Sequence, residues 1–263
     1  MLIKNTLLSE NIYSIEEAEV IILGVPFDST VSEYPGTRFA PLRIREDFNI
    51  SVNQYLAEMG SISDVKLYDA GNLLVSHGNP KKTLNDLQSD FRSIYKQNPE
   101  AKYIVIGGEH SISFPVFEVI NSFGDLDYLC YDAHWDLLDE AYGIKESHEC
   151  VNRRIFELVG GDRMRIKGVR EESREEKDFS SRITGKLLGN NPIYLSIDLD
   201  ILDNVPVSCP VPGGMSFEEL WREISKIEKI KAVDIVEYNP LLGYSPIPAE
   251  LLKRLILLLA KSH

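Results

Sequence analysis

Aspartate and histidine residues follow three apolar runs of the sequence in patterns that suit metal binding. GGEHS (107–111) follows YIVI, DAHWD (132–136) follows LDYLCY, and DLD (198–200) follows IYLSI. Residues two apart in an extended chain project to the same side, so Asp132 with His134, and Asp198 with Asp200, can each face one site. Carboxylate and imidazole groups suit Mn²⁺, with zinc, iron, cobalt and nickel not excluded.

The three clusters carry more weight together than singly, since one such cluster is more typical of a solvated turn. Four carboxylates buried at neighbouring strand ends would repel one another unless cations or protons neutralised them. The sequence therefore predicts a metal site whose ligands are His110, Asp132, His134, Asp136, Asp198 and Asp200.

Short apolar segments alternate with helical patterns along the chain. We predict strands at 20–23, 103–106, 126–131, 193–197 and 233–236, and helices at 41–55, 83–97, 113–123, 151–159, 217–229 and from 249 onward. This alternation indicates an α/β fold with an open, mostly parallel sheet covered on both faces. Because no repeat or linker-like tract divides the sequence, we predict a single catalytic domain over residues 1–263.

Composition restricts the partners and the compartment. Lys and Arg number 28 against 41 Asp and Glu, and the net charge of −13 argues against nucleic acid and anionic membrane surfaces. The three cysteines include no CxxC pair, which argues against a disulfide framework and a thiolate zinc site. No apolar stretch approaches a membrane span and no signal-peptide pattern begins the chain, so we expect a cytoplasmic protein.

GGEHS, DAHWD and SIDLDILD resemble the signature segments of the ureohydrolase family, which contains arginases, agmatinases and formiminoglutamases. PGTRFAP (35–41), SHECVNRR (147–154) and EYNP (237–240) extend the likeness over nearly the whole chain, and it is closest to the agmatinase branch. The resemblance implies an arginase-like three-layer α-β-α sandwich and a homo-oligomer, either a trimer or a hexamer. It also implies two divalent cations per chain, expected to be Mn²⁺.

The resemblance also implies a role for each site residue. Asp132 and Asp198 would bridge the two cations, with His110 and Asp136 completing one and His134 and Asp200 the other. Asp136 would hold the nucleophilic hydroxide and pass on its proton, and His148 would shuttle that proton to solvent. Glu237 is expected to orient a ligand, and Asp28 to be a framework or pocket-rim residue.

One position departs from the family pattern and bears on the substrate. Arginases and agmatinases carry a glutamate before a glycine pair, roughly PEPGG, and it is expected to pair with the guanidinium group. Here the segment is CPVPGG, with Val211 at the glutamate position. Because valine neither accepts a hydrogen bond nor neutralises a cation, guanidinium binding would lack its main anionic partner.

Three functions therefore remain open. The first is hydrolysis of a guanidino compound, with agmatine giving putrescine and urea. The second is hydrolysis of formiminoglutamate or another amidine or amide. It is suggested by the VSCP segment from Val207, which resembles the VSAP-like segment of formiminoglutamases. The third is a catalytically inactive metal-binding regulatory subunit, against which the intact set of six ligands argues.

Overall fold

The computed structural model describes residues 2–3, 7–9, 13–50, 55–56, 59–187 and 191–261. Within them the strands are β1 (Leu2–Ile3), β2 (Val20–Gly24), β3 (Tyr55–Leu56), β4 (Gly60–Ser61), β5 (Leu67–Leu73), β6 (Lys102–Ile106), β7 (Asp127–Tyr131), β8 (Met164–Lys167), β9 (Ile193–Asp198) and β10 (Ile230–Val236). The central sheet has the order β1-β5-β2-β6-β10-β9-β7-β8, and β3 pairs with β4 in a separate hairpin. Only β1 runs antiparallel to its neighbour among the described strands of the central sheet.

Helices cover both faces of this sheet. They are α1 (Ala40–Ile50), α2 (Pro80–Tyr95), α3 (Ser113–Asn121), α4 (Val151–Val159), α5 (Arg174–Ser180), α6 (Phe217–Ile224) and α7 (Ile247–Lys261). Apolar side chains of α1, α6 and α7 pack on one face, and those of α2, α3 and α4 pack on the other. The predicted three-layer α-β-α sandwich is confirmed.

Strand β9 shows why the apolar runs become interior strands. Its Leu195 and Ile197 join the core beneath α1, α6 and α7, whereas Tyr194 points into the core of the opposite face. A strand buried on both sides needs apolar residues on both, which is why the parallel strands read as continuous apolar runs.

The sequence patterns located the inner strands better than the outer ones. All five predicted strands are present, but β1, β5 and β8 of the central sheet were missed. Strand β5 reads LYDAGNL, and its Asp69 is buried because Arg45 of α1 binds it with a 2.7 Å Nε–Oδ2 contact. The polar residue of such a buried ion pair interrupts the apolar run, so the sequence pattern no longer indicates a buried strand.

Two predicted helix ends were wrong. The helix predicted over 41–55 ends at Ile50; residues 51–54 lie outside the described part, and Tyr55 belongs to β3. The helix predicted over 217–229 ends at Ile224, and Lys229 has a left-handed backbone (φ 58°) that turns the chain into β10. The predicted start of this helix at Phe217 is correct, and Ser216 and Glu219 form a capping box there.

Among the helices of the described residues, none combines the length and the apolarity needed to cross a membrane.

Candidate metal centre

Four neighbouring strands, β6, β10, β9 and β7, deliver the candidate ligands to one edge of the sheet. Each of the six predicted ligands, and Glu237, lies at or just beyond the carboxyl end of its strand. These residues are His110 after β6, Glu237 after β10, Asp198 and Asp200 at β9, and Asp132, His134 and Asp136 after β7. In open parallel sheets ligands gather at this edge, so the topology explains why residues far apart in sequence meet here.

The imidazole of His110 is surrounded by carboxylates. Its Nδ1 atom lies 3.2 Å from Oδ2 of Asp132, 3.0 Å from Oδ2 of Asp136 and 3.4 Å from Oδ2 of Asp198. One ring nitrogen has at most one proton to donate, so it cannot satisfy three carboxylates by hydrogen bonding. Such convergence of imidazole and carboxylate groups is the donor set of a hard divalent cation.

A second group of donors is centred on His134. Its Nδ1 atom lies 2.7 Å from Oδ2 of Asp200 and 3.7 Å from Oδ1 of Asp132. Oδ1 of Asp200 accepts a 2.8 Å hydrogen bond from the backbone N–H of Ala133, which joins the ends of β7 and β9. Asp132 faces both histidines, so the six donors form two adjoining groups that share a carboxylate.

Burial raises the pKa of the carboxylates at this centre. The pKa of Asp198 lies well above its ordinary value because of burial and then the charges of Asp200 and Asp132. Burial, followed by the charge of Asp132, raises the pKa of Asp136 to about 7. No lysine or arginine of the described chain forms an ion pair with these four aspartates. Divalent cations would supply the missing positive charge, so the residues fit two such ions.

A layer of polar residues supports the candidate ligands. The Nε2 atom of His110 contacts Oγ of Ser196 at 2.8 Å, and that hydroxyl donates to Oδ1 of Asp234 at 2.7 Å. The hydroxyl of Tyr194 donates to the other oxygen of Asp234. Glu237 accepts a 2.8 Å hydrogen bond from the backbone N–H of His110, as expected for a residue that orients a ligand.

Two of the site residues have unusual backbone conformations. Asp136 (φ 52°) and Glu237 (φ 66°) both lie in the left-handed region, which residues other than glycine rarely adopt. Strained positions of this kind cluster at functional sites, where the surrounding structure fixes them. Here the strain aims two carboxylates at the same cluster.

A cavity of about 340 Å³ opens beside the candidate ligands. Its walls include His148, Val211 and six glutamates outside the ligand set: Glu33, Glu149, Glu171, Glu172, Glu176 and Glu237. Within the described part of the chain, no lysine or arginine lines this cavity. The volume lies near the lower end of the range for small-molecule sites, about 300–1,000 Å³. The charge of its walls favours a small cation.

His148 is buried in the cavity wall and held by its neighbours. The hydroxyl of Thr30 accepts a 3.1 Å hydrogen bond from the backbone N–H of His148 and lies 3.3 Å from ring atom Nδ1. The same hydroxyl donates to Glu109. Burial, followed by the charges of His110 and His134, lowers the pKa of His148 to about 4. The imidazole is therefore neutral at neutral pH.

Val211 and Asp28 occupy different positions relative to the cavity. Val211 lines it, and its carbonyl accepts a 2.9 Å hydrogen bond from the guanidinium of Arg170. Asp28 is buried away from the cavity lining, where it accepts the backbone N–H of Gly36 at 2.9 Å and pairs with Arg38. Asp28 thus holds the turn that precedes α1.

Sequence patterns did not single out the supporting serine or the acidic cavity wall. Ser196 lies two residues before Asp198 on β9, so the period of two could have placed it on the same face. Glu149 directly follows His148 on a loop, where no periodic pattern predicts which way a side chain points. Its place in the cavity depends on contacts with residues distant in sequence.

An α/β sheet with clustered carboxylates and imidazoles at its carboxyl edge is the architecture of a hydrolase with a two-metal centre. A sequence model of the arginase family matches residues 18–187 and 179–260, and the chain belongs to that family. It is therefore a hydrolase of the arginase and agmatinase kind, a family whose enzymes bind a binuclear metal centre.

Individual relatives cover most of the chain. An agmatinase of Pyrococcus horikoshii is 35% identical over 250 residues, 86% of this chain and 85% of that protein. The N(1)-aminopropylagmatine ureohydrolase of Thermococcus kodakarensis is 32% identical over 248 residues, 84% and 83% of the two chains. The crystal structure of agmatine ureohydrolase of Thermoplasma volcanium is 25% identical, covers 98% of this chain and 95% of its own, and superposes with a TM-score of 0.84.

Proposed function

We propose that this protein hydrolyses agmatine to putrescine and urea, using two Mn²⁺ ions. In this reaction water adds its oxygen to the guanidinium carbon, and the bond from that carbon to the alkyl nitrogen breaks. The departing amine takes a proton and leaves as putrescine. The relatives named above support the proposal, since two of them are ureohydrolases of agmatine or an agmatine derivative by name.

The negative charge of the cavity wall is the observation that supports agmatine as the substrate. Six glutamates outside the ligand set line it, and no lysine or arginine does so within the described chain. Agmatine is positively charged at both ends, so acidic walls attract it throughout its length. Formiminoglutamate carries two carboxylates, which would meet this acidic wall without a cationic partner.

The candidate ligands divide into two sets around the proposed cations. His110, Asp136, Asp132 and Asp198 would hold one ion, and His134, Asp200 and the same two bridging aspartates would hold the other. When bound, the two ions supply Lewis acidity that lowers the pKa of water towards neutrality.

Asp136 and His148 supply the proton transfers. The carboxylate of Asp136 orients the attacking water and accepts its proton. His148 is neutral at neutral pH because burial, followed by the charges of His110 and His134, lowers its pKa to about 4, so its imidazole would accept a proton only transiently and release it readily. It then passes that proton to solvent or to the departing amine. Both residues line the cavity.

The proposal is tested by assaying Mn²⁺-loaded protein against agmatine, arginine, formiminoglutamate and a neutral amidine. Release of urea, ammonia and formamide is measured, with metal content determined in parallel. We expect urea from agmatine with the highest kcat/KM of the panel. A higher kcat/KM for the formimino compound or the neutral amidine would overturn the assignment of agmatine as the substrate. If no product forms at full metal occupancy, the result would favour the third function, a catalytically inactive regulatory subunit.

We also propose a cytoplasmic homo-oligomer, a trimer or a hexamer. Several large apolar side chains are exposed at the surface, including Tyr34, Leu241, Leu242 and Tyr244. Clustered exposed apolar residues are typical of protein interfaces. Light scattering of the purified protein measures the mass, and a monomer at micromolar concentration would contradict this proposal.

A further inference from the structure

Position 211 in the cavity wall is a valine, but the same wall contains a glutamate at position 149, Glu149. We propose that Glu149 binds the guanidinium group of the substrate and takes the part that Val211 cannot perform. This inference rests on the proposed function, because it names the residue that recognises the reacting end of a guanidino compound. It would make Glu149 a residue that determines specificity.

The other buried or half-buried acidic residues of the cavity wall are already engaged. Glu176 accepts the backbone N–H of Ser173 at 2.9 Å and that of Leu137 at 3.3 Å, one on each carboxylate oxygen. Glu237 accepts the backbone N–H of His110. Because these carboxylates hold backbone segments in place, binding a guanidinium would compete with the structure around them.

Acidic residues at the mouth of the cavity are less able to recognise the reacting group. Glu172 accepts the indole N–H of Trp135 at 2.9 Å and pairs with Lys177 at 3.1 Å. Glu33 and Glu171 are exposed, and charges in contact with water interact weakly and are screened by salt. They suit the distal ammonium of the substrate better than its guanidinium.

Glu149 has the surroundings that a guanidinium site requires. Its side chain is 26% exposed, and Oε1 lies 3.8 Å from Nε2 of His148, the proposed proton carrier. Burial raises the pKa of this carboxyl, and a hydrogen bond from Ser32 partly opposes the effect. No lysine or arginine of the described chain pairs with it. A bound cation would therefore offset the cost of keeping this carboxylate charged away from water.

The backbone around Glu149 is fixed before any substrate arrives. The residue lies in a 3₁₀ turn, His148–Cys150, that leads into α4. Its carbonyl accepts the N–H of Leu138 at 3.1 Å, and its own N–H donates to Ser147 at 3.3 Å. Because the backbone is already held in place, binding a substrate here does not require this turn to become ordered.

The wall around Val211 also adjoins Glu149. Cys209, two residues before Val211, lies 3.6 Å from the hydroxyl of Ser32 through its sulfur atom. The same hydroxyl lies 3.5 Å from Nε2 of His148, the residue that directly precedes Glu149. One serine thus connects the loop that has lost its carboxylate with the turn that carries one. Both Val211 and Glu149 line the same cavity.

The test compares Glu149→Gln with wild-type protein at full Mn²⁺ occupancy. Removing the charge while keeping the shape should raise KM for agmatine about ten- to a hundredfold, the usual value of a hydrogen bond to a charged group. We expect kcat to change less than about threefold and metal content to stay the same. Glu149→Asp keeps the charge, so its KM should rise less than that of Glu149→Gln.

Glu140→Gln is the matched control, since Glu140 is an exposed glutamate in the same connection between β7 and α4. It should leave both constants unchanged. An unchanged KM in Glu149→Gln, with active wild-type protein, would overturn the inference.

If wild-type protein releases no urea, the proposed function fails, and calorimetric binding of agmatine decides the role of Glu149. A tenfold weaker Kd in Glu149→Gln would support it, and equal affinity would overturn it.

Discussion

The Nε2 atom of His110 forms a hydrogen bond with the hydroxyl of Ser196, 2.8 Å away. Because Ser196 gives its own proton to Asp234, the imidazole must be the donor in this contact. A neutral ring protonated at Nε2 has its lone pair on Nδ1, the atom that faces three aspartates. The serine therefore fixes the tautomer that a metal ligand needs.

Replacement of this serine should weaken metal binding without removing a ligand. In Ser196→Ala the Nε2–H group loses its acceptor, so we expect Mn²⁺ affinity to fall about ten- to a hundredfold. Calorimetric titration of metal-free protein measures this change. Ser245→Ala, which alters a buried serine near α7, serves as the control. Equal affinities in the two variants would show that Ser196 has no effect on the ligand.

A bridging role for Asp198 predicts a larger effect. Asp198→Asn keeps the shape of the side chain but removes a charge that two cations would share, so at least one metal ion per chain should be lost. Urea production should fall with it. Asp127→Asn is the control, because Asp127 is also buried but lies at the opposite end of β7. Elemental analysis that finds two metal ions in Asp198→Asn would contradict the bridging assignment.

The six candidate ligands could be predicted from sequence because each follows directly on an apolar strand. The strands of a parallel sheet end at one edge, so the patterns place Asp132 and Asp198 at that edge, and the pairing of β7 with β9 brings the two residues together. The relation between Ser196 and Asp234 could not be predicted in this way. It requires β9 to lie beside β10, an adjacency that the pattern of apolar residues does not determine.

The positions of the glutamates in the cavity wall are even harder to predict from the sequence, because they depend on contacts with residues distant in the chain. Glu176 reads as part of a charged helix, yet it is buried against the backbone of Leu137. Glu149 lies on a turn whose direction is set by Leu138 and Ser147. Loop side chains have no periodicity, so their orientation follows from the folded structure alone.

His148 should affect turnover and leave metal binding intact. If it carries protons between the cavity and solvent, His148→Asn should lower kcat by roughly 10²–10⁴, the usual effect of losing an acid–base group. Metal content should not change, because His148 is not among the candidate ligands. This pattern is the opposite of that expected for Glu149→Gln, in which KM changes and kcat does not. A kcat equal to that of wild-type protein would remove His148 from the mechanism.

Metal-free protein should lose stability as the pH rises from 5 to 8. Burial raises the pKa of Asp136 and of Glu109 to about 7, above the value of about 4 in an unfolded chain. The folded chain holds protons that the unfolded chain has released in this window, so the free energy of unfolding falls as pH rises. Each such proton contributes about 1.4 kcal/mol per pH unit.

Thermal unfolding of the metal-free protein at pH 5, 6, 7 and 8 measures this dependence. We expect a lower Tm at pH 8 than at pH 5, and a smaller difference in Asp136→Asn, which cannot ionise at that position. Saturating Mn²⁺ should restore much of the stability at pH 8, because cations then neutralise the aspartates in place of protons. A Tm that rises from pH 5 to pH 8 without metal would be inconsistent with these pKa shifts.

A glutamate restored at position 211 should have an effect that depends on Glu149. In wild-type protein Val211→Glu should change kcat/KM for agmatine less than about threefold, because the proposed role of Glu149 would already supply a charge-assisted hydrogen bond to the guanidinium. In the Glu149→Gln background the same substitution should recover much of the lost affinity. The two substitutions are thus expected to be non-additive, as for residues that bind one group. Measured KM values for the four proteins form the cycle, and an equal gain from Val211→Glu in both backgrounds would mean that the two positions act on different parts of the substrate.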